Sequence, residues 1–214
     1  MKKKIIGICG LIGHGKDTAA GFLIEQGFER VSFAGVLKDA CANIFGWDRI
    51  LLEGNTPESR VWRETVDEWW ATRLNIPNFT PRLALQHVGT DALRTHFHPD
   101  IWVAACERQV AMAEKDVVIS DCRFFNELSA IKRLGGTTTV VWRHDKPVWW
   151  SNASTINKAN ASDKPKHIVD GMTNRYPDVH KSEWSWAGWE FDLELYNTST
   201  LTDFKQQTLD KLIG

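Results

Sequence analysis

The chain has 214 residues, 43% of them hydrophobic and 25% charged, with a formal net charge of −1. That length suits one α/β domain with a sizeable core and a small lid or insert. The charge balance argues against stable binding to long nucleic acid, leaving room only for a local basic cleft. No stretch approaches a membrane span, and Met1-Lys2-Lys3-Lys4 runs at once into a short apolar strand rather than a secretory signal, so a cytoplasmic location is expected.

The first element is a strand over Lys3–Cys9, an apolar run that leads into Gly10-Leu11-Ile12-Gly13-His14-Gly15-Lys16-Asp17-Thr18 and then a helix to about Glu25. The spacing Gly10-x4-Gly15-Lys16 between strand and helix is that of a phosphate-binding loop. Glycines let successive N–H groups turn inward around an anion, the helix start adds its positive dipole end, and Lys16 brings a point charge. Such a loop binds a nucleoside triphosphate. A Ser or Thr that would hold Mg²⁺ normally follows the lysine, but here Asp17 does, and the hydroxyl comes one step later at Thr18. Asp17 is able to hold Mg²⁺ or to cap the helix, and Thr18 to bond an inner phosphate.

A second strand is expected over Phe28–Phe33 and a helix from Gly35. Residues 47–80 are rich in tryptophan and charge, with a helix over Glu58–Leu74. Pro81 opens another helix, and Ile101–Ala113 has helical periodicity. Asp116–Asp121 is an apolar strand ending in an acid, followed by a helix over Phe125–Leu134 and a strand over Thr137–Trp142. This βα alternation predicts a mostly parallel central sheet flanked by helices. Residues 144–180 break the pattern with Pro147, Pro165, Gly171 and Pro177 and read as a lid. A strand over Phe191–Tyr196 and an amphipathic helix over Leu201–Ile213 close the chain.

Asp121 at a strand end is expected beside the loop, holding the metal shell, because the catalytic edge of a parallel sheet lies at its strands' carboxyl ends. The competing role is a cap for the next helix. Arg123 suits a moving phosphate, since its planar fork grips bidentately. Arg82 and Arg94 suit an acceptor, and Arg143 and Arg175 are candidates to close from the lid. Cys9, Cys41, Cys106 and Cys122 form no CxxC pair and read as buried reduced thiols; a zinc site from His96, His98, Asp100 and Cys106 lacks any recognised spacing. Most of the eleven tryptophans read as packing, with one or two available to stack on a base.

Four stretches together resemble the deoxynucleoside monophosphate kinases of tailed bacteriophages: Gly10–Thr18 with its Gly-Lys-Asp-Thr ending, Phe33-Ala34-Gly35-Val36-Leu37-Lys38-Asp39, Pro81-Arg82-x3-Gln86-x-Val88-Gly89-Thr90-Asp91-x2-Arg94, and Asp121-x-Arg123-Phe124-x-Asn126-Glu127. His180-x-Ser182-Glu183 is a weaker echo. The family usually has proline at the position of Val36. The resemblance implies a P-loop kinase fold over residues 1–214, with an acceptor-binding helical region at about 35–100 and a lid at about 144–180. It implies that Gly10, Gly13, His14, Gly15, Lys16, Asp17 and Thr18 hold ATP, with Mg²⁺ at Asp17 and Asp121. Lys38, Asp39, Arg82, Gln86, Asp91 and Arg94 would hold a dNMP, with Arg123 between the two and Lys16, Asp121 and Arg123 acting in catalysis. It points to the cytoplasm of a host cell if the gene is a phage's, and leaves a homodimer open. Against this stand a kinase for a hydroxyl acceptor such as dephospho-coenzyme A or a nucleoside, with Asp39 as base, a kinase acting on modified bases in DNA, and a nucleotide-dependent switch.

Overall fold

The computed structural model describes residues 3–158, 172 and 174–214. Along the chain come β1 (Ile5–Cys9), α1 (Lys16–Glu25), β2 (Glu29–Val31), α2 (Gly35–Phe45), a 3₁₀ turn (Leu51–Glu53), α3 (Pro57–Glu64), α4 (Glu68–Leu74) and α5 (Pro81–Gln86). A π-helical segment (His87–Phe97) and α6 (Ile101–Met112) lead to β3 (Val117–Ile119), α7 (Phe125–Arg133), β4 (Thr137–Trp142) and α8 (Trp150–Lys158). Then follow α9 (Lys181–Trp184), β5 (Leu193–Tyr196) and α10 (Leu201–Leu212). The chain forms two compact units, Met1–Val31 with Gln109–Gly214, and Ser32–Arg108.

The first unit holds a five-stranded sheet in the order β2-β3-β1-β4-β5, parallel at every pairing. Its central strands are apolar without interruption, as strands covered on both faces require. Ile6, Ile8, Val118, Val141 and Leu195 face α1 and α10, meeting Ala19, Ala20, Leu23, Phe204 and Leu212. On the other face α7 comes close because β1 carries Gly7, where a Cβ would lie 2.8 Å from Ile131 Cγ1. Around α8 a satellite cluster of Trp149, Ala153, Ile156, Met172 and Ala187 packs with Trp150, Tyr176, Trp184 and Leu11 of the loop. The four cysteines are free and buried, and among the described residues no helix is long and apolar enough to cross a membrane.

The second unit is helical, around a small core of Ala71, Phe79 and Ala84 with Phe45, Trp47, Val66, Trp70 and Leu83. The expected helix over Glu58–Leu74 is two helices instead. Asp67 breaks it: its carboxylate caps α4 at the Trp70 N–H and takes the Trp47 indole N–H at 2.7 Å, and its backbone N–H bonds Phe79 O at 2.9 Å. Within the 144–180 segment lies α8. Of the expected lid, 159–171 and 173, with Pro165 and Gly171, lie outside the described residues.

Gly7→Ala should lower stability by about 1–3 kcal/mol through overpacking against the fully buried Ile131. Urea unfolding checks this, and an unchanged midpoint would show that α7 yields freely.

Candidate active site

The loop at the end of β1 winds through positive φ at Gly10, Gly13 and Gly15 (153°, 80° and 102°). Gly15 caps α1 in the left-handed region, with no side-chain cap. A Cβ there would lie 2.5 Å from Asn197 Nδ2, which itself donates to His14 O at 3.1 Å. His14 turns inward and is 4% exposed. Its Nδ1 lies 3.3 Å from Val141 O and 3.2 Å from the Arg143 N–H, bonding one or the other according to tautomer. Burial pushes the imidazole below its ordinary pKa, against the pull of the Val141 carbonyl. The ring thus ties the loop to the end of β4, while the Arg143 guanidinium reaches Gly13 O at 3.5 Å.

Lys16 is 8% exposed at the head of α1. Burial, and after it the Arg123 guanidinium, lowers its pKa; Asp17 and Glu183 pull the other way. The Arg123 side chain is bonded by Glu183 of α9, and its backbone N–H donates to the buried Glu127 at 2.7 Å. Asp121 precedes α7, whose N-cap position is Phe124. Its neighbours reach the loop side: Ser120 Oγ donates to Asp17 at 2.9 Å, and Cys122 O accepts from Cys9 Sγ at 3.0 Å. Asp17 also takes Arg30 at 2.7 Å, so this carboxylate braces α1 against β2 and β3 rather than capping the helix.

No group of three or more His, Cys, Asp or Glu able to hold a metal occurs among the described residues. Mg²⁺ that enters with phosphates needs only one or two carboxylates and its own waters, and the oxygen donors Asp17, Thr18 and Asp121 fit that chemistry. A cleft of about 700 Å³ is lined by Trp142, Arg143, His144, Asp145, Lys146, Glu194, Tyr196 and Thr198, at the ends of β4 and β5. Of the lid candidates, Arg143 lines this cleft, and Arg175 is exposed with its guanidinium 5.9 Å from the Tyr176 ring.

Lys38, Asp39, Arg82, Gln86, Asp91 and Arg94 belong to the second unit. Lys38 bonds Glu53 at 2.6 Å, while Arg49 grips both Asp39 and Glu53 at 2.5 Å. Arg82 pairs with Glu64 at 3.2 Å and His87 with Asp91 at 2.5 Å. Gln86 is exposed at the end of α5, and Asp91 and Arg94 lie on the π-helical segment. Arg63, which no sequence motif marks, has a buried Nε without a partner, and burial followed by Arg82 lowers its pKa. Arg82 and Arg60 act on it with like charge, and Glu64 and Glu53 with opposite charge.

No protein-family model matches the chain. It is 38% identical over 145 residues to the "Putative deoxynucleotide monophosphate kinase" of Acanthamoeba polyphaga mimivirus, a match covering 62% of this chain and 70% of that protein. Similar solved structures include a dephospho-CoA kinase from Campylobacter jejuni (17% identity, 99% of this chain and 96% of that one, TM-score 0.43). TT1252 from Thermus thermophilus (19%, 100% of both chains, 0.45) and a shikimate kinase from Bacteroides thetaiotaomicron (12%, 98% of both chains, 0.37) are others. With its phosphate loop, its parallel sheet and this relative, the chain belongs to the deoxynucleotide monophosphate kinase family and is an ATP-dependent phosphotransferase of the P-loop type.

Proposed function

We propose that the chain transfers the γ-phosphoryl group of ATP to a deoxynucleoside monophosphate, giving ADP and the diphosphate. The observation that carries the reading is the loop-borne Lys16, buried beside a second cation, Arg123. Two such cations together favour a bound polyphosphate over an empty site. Arg82, Arg94 and the partly buried Arg63 are the cations assigned to a second anion, the monophosphate of the acceptor, in keeping with the residues of the Pro81–Arg94 stretch.

A phosphate monoester is largely ionised at neutral pH, with a second pKa near 6, so its oxygen attacks the γ-phosphorus in line without a strong base. Asp39, the base that a hydroxyl acceptor would require, is instead held by Arg49. The rate then comes from positioning and from charge neutralisation by Lys16 and Arg123. Mg²⁺, when bound, neutralises phosphate charge, and Asp17, Thr18 and Asp121 are the residues that would hold it. The cleft beside Trp142 and Tyr196 is of a size to take the donor's nucleoside. The setting implied by the resemblance is the cytoplasm, that of a host cell if the gene is a phage's.

A coupled assay with Mg-ATP and each dNMP in turn should give both ADP and dNDP; ADP alone would indicate a hydrolysing switch and overturn the reading. Lys16→Ala should lower dNDP formation by roughly 10²–10³-fold or more, and full activity would refute the loop's role. Lys16 must be charged to meet phosphate, and its pKa is lowered, so it loses its proton at lower pH than a free lysine. The alkaline limb of kcat/KM for ATP should therefore fall below the ordinary lysine value of 10.5. A limb at or above that value would show that burial does not govern Lys16.

A further inference from the structure

The pairing of Arg123 with Glu183 joins positions 60 residues apart. Neither side chain is freely solvated: 29% of Arg123 and 19% of Glu183 is exposed. Glu183 stands on a braced element. The His180 Nδ1 accepts from the Ser182 N–H at the start of α9, and Asn157 Nδ2 holds the carbonyls of Trp184 and Ala187 at 2.7 and 3.0 Å. Trp186, 1% exposed, packs against Trp142 and Trp150. Arg123 is anchored at the opposite end, where Glu127 accepts its N–H and that of Phe124.

We propose that Glu183 is a positioning residue for the transfer reaction, its carboxylate holding the Arg123 guanidinium in place so that the remaining N–H groups of the fork are aimed before a nucleotide arrives. The inference rests on the proposed reading of Arg123 as a phosphate-facing cation. An unheld arginine loses rotamer freedom each time it grips a phosphate, whereas one already fixed by a carboxylate has less to lose. The guanidinium has five N–H donors, and the bond to Glu183 uses Nη1, which leaves the others for oxygens of the phosphoryl group. The same carboxylate offsets the repulsion between Arg123 and Lys16 while the site is empty. An exposed ion pair would contribute little; a partly buried one between two anchored elements can set geometry.

The test compares the parent chain with Glu183→Ala, Glu183→Gln, Arg123→Ala and the double variant Arg123→Ala/Glu183→Ala. Glu183→Ala should lower kcat roughly 10- to 100-fold, while KM for ATP and the urea midpoint stay close to the parent's. Glu183→Gln, which still accepts an N–H, should recover part of that loss. In the Arg123→Ala background the Glu183 change should have no further effect, because residues acting as one unit do not contribute multiplicatively. Losses that multiply in the double variant, a parental kcat in Glu183→Ala, or a fall in kcat matched by a fall in the urea midpoint would each overturn the proposal. If the parent releases ADP without forming dNDP, the substrate reading fails, and the same comparison made on ADP release decides the role of Glu183.

Discussion

The cost of keeping Lys16 charged where little water reaches it governs the first unit. A buried ammonium is stable only when other groups answer its charge. Here a second cation, Arg123, adds to the burden, and Asp17 and Glu183 answer it. Asp17 is shared with Arg30 and Ser120, and Glu183 with Arg123, so neither is given over to Lys16 alone. A polyphosphate would bring further negative charge to both cations. Loop amides and the start of α1 add to the same preference without adding a titratable group.

The sheet order determines what surrounds that lysine. Because β1 lies between β3 and β4, the loop that leaves it has Ser120–Arg123 on one side and Val141–Arg143 on the other. Each side fastens it: Ser120 through Asp17, and the β4 end through His14. Asn197, just beyond β5, adds a third tie. Leu11 roots the loop in the tryptophan-rich cluster around α8. Many of the tryptophans thus act as packing, which their number alone leaves undecided; Trp69, 64% exposed, is an exception.

What a sequence pattern reveals depends on the range of the forces involved. The strand–glycine–helix passage at Ile5–Glu25 is local, governed by backbone freedom at glycine and by apolar runs, and it is legible. The break between α3 and α4 was not, because Asp67 is recruited by Trp47 and Phe79 from outside its own helix. Nor was the π-helical form of His87–Phe97, which apolar periodicity does not separate from an α-helix. Arg63 is not legible in the sequence, because a lone arginine in a charged helix carries no spacing signal and its unpartnered Nε is defined only by what covers it.

The order of residues sets the chemistry of the loop, since a glycine's access to positive φ and a lysine at the helix start are properties of adjacent residues. It also determines the parallel βα alternation, because strand burial on both faces is written into continuous apolar runs. Which carboxylate answers which cation is set by the fold. The pairing of Arg123 with Glu183 spans 60 residues, and that of Lys132 with Asp192 also spans 60. Such contacts depend on strand order and on where the strands end, and opposite charges in a sequence carry no record of either.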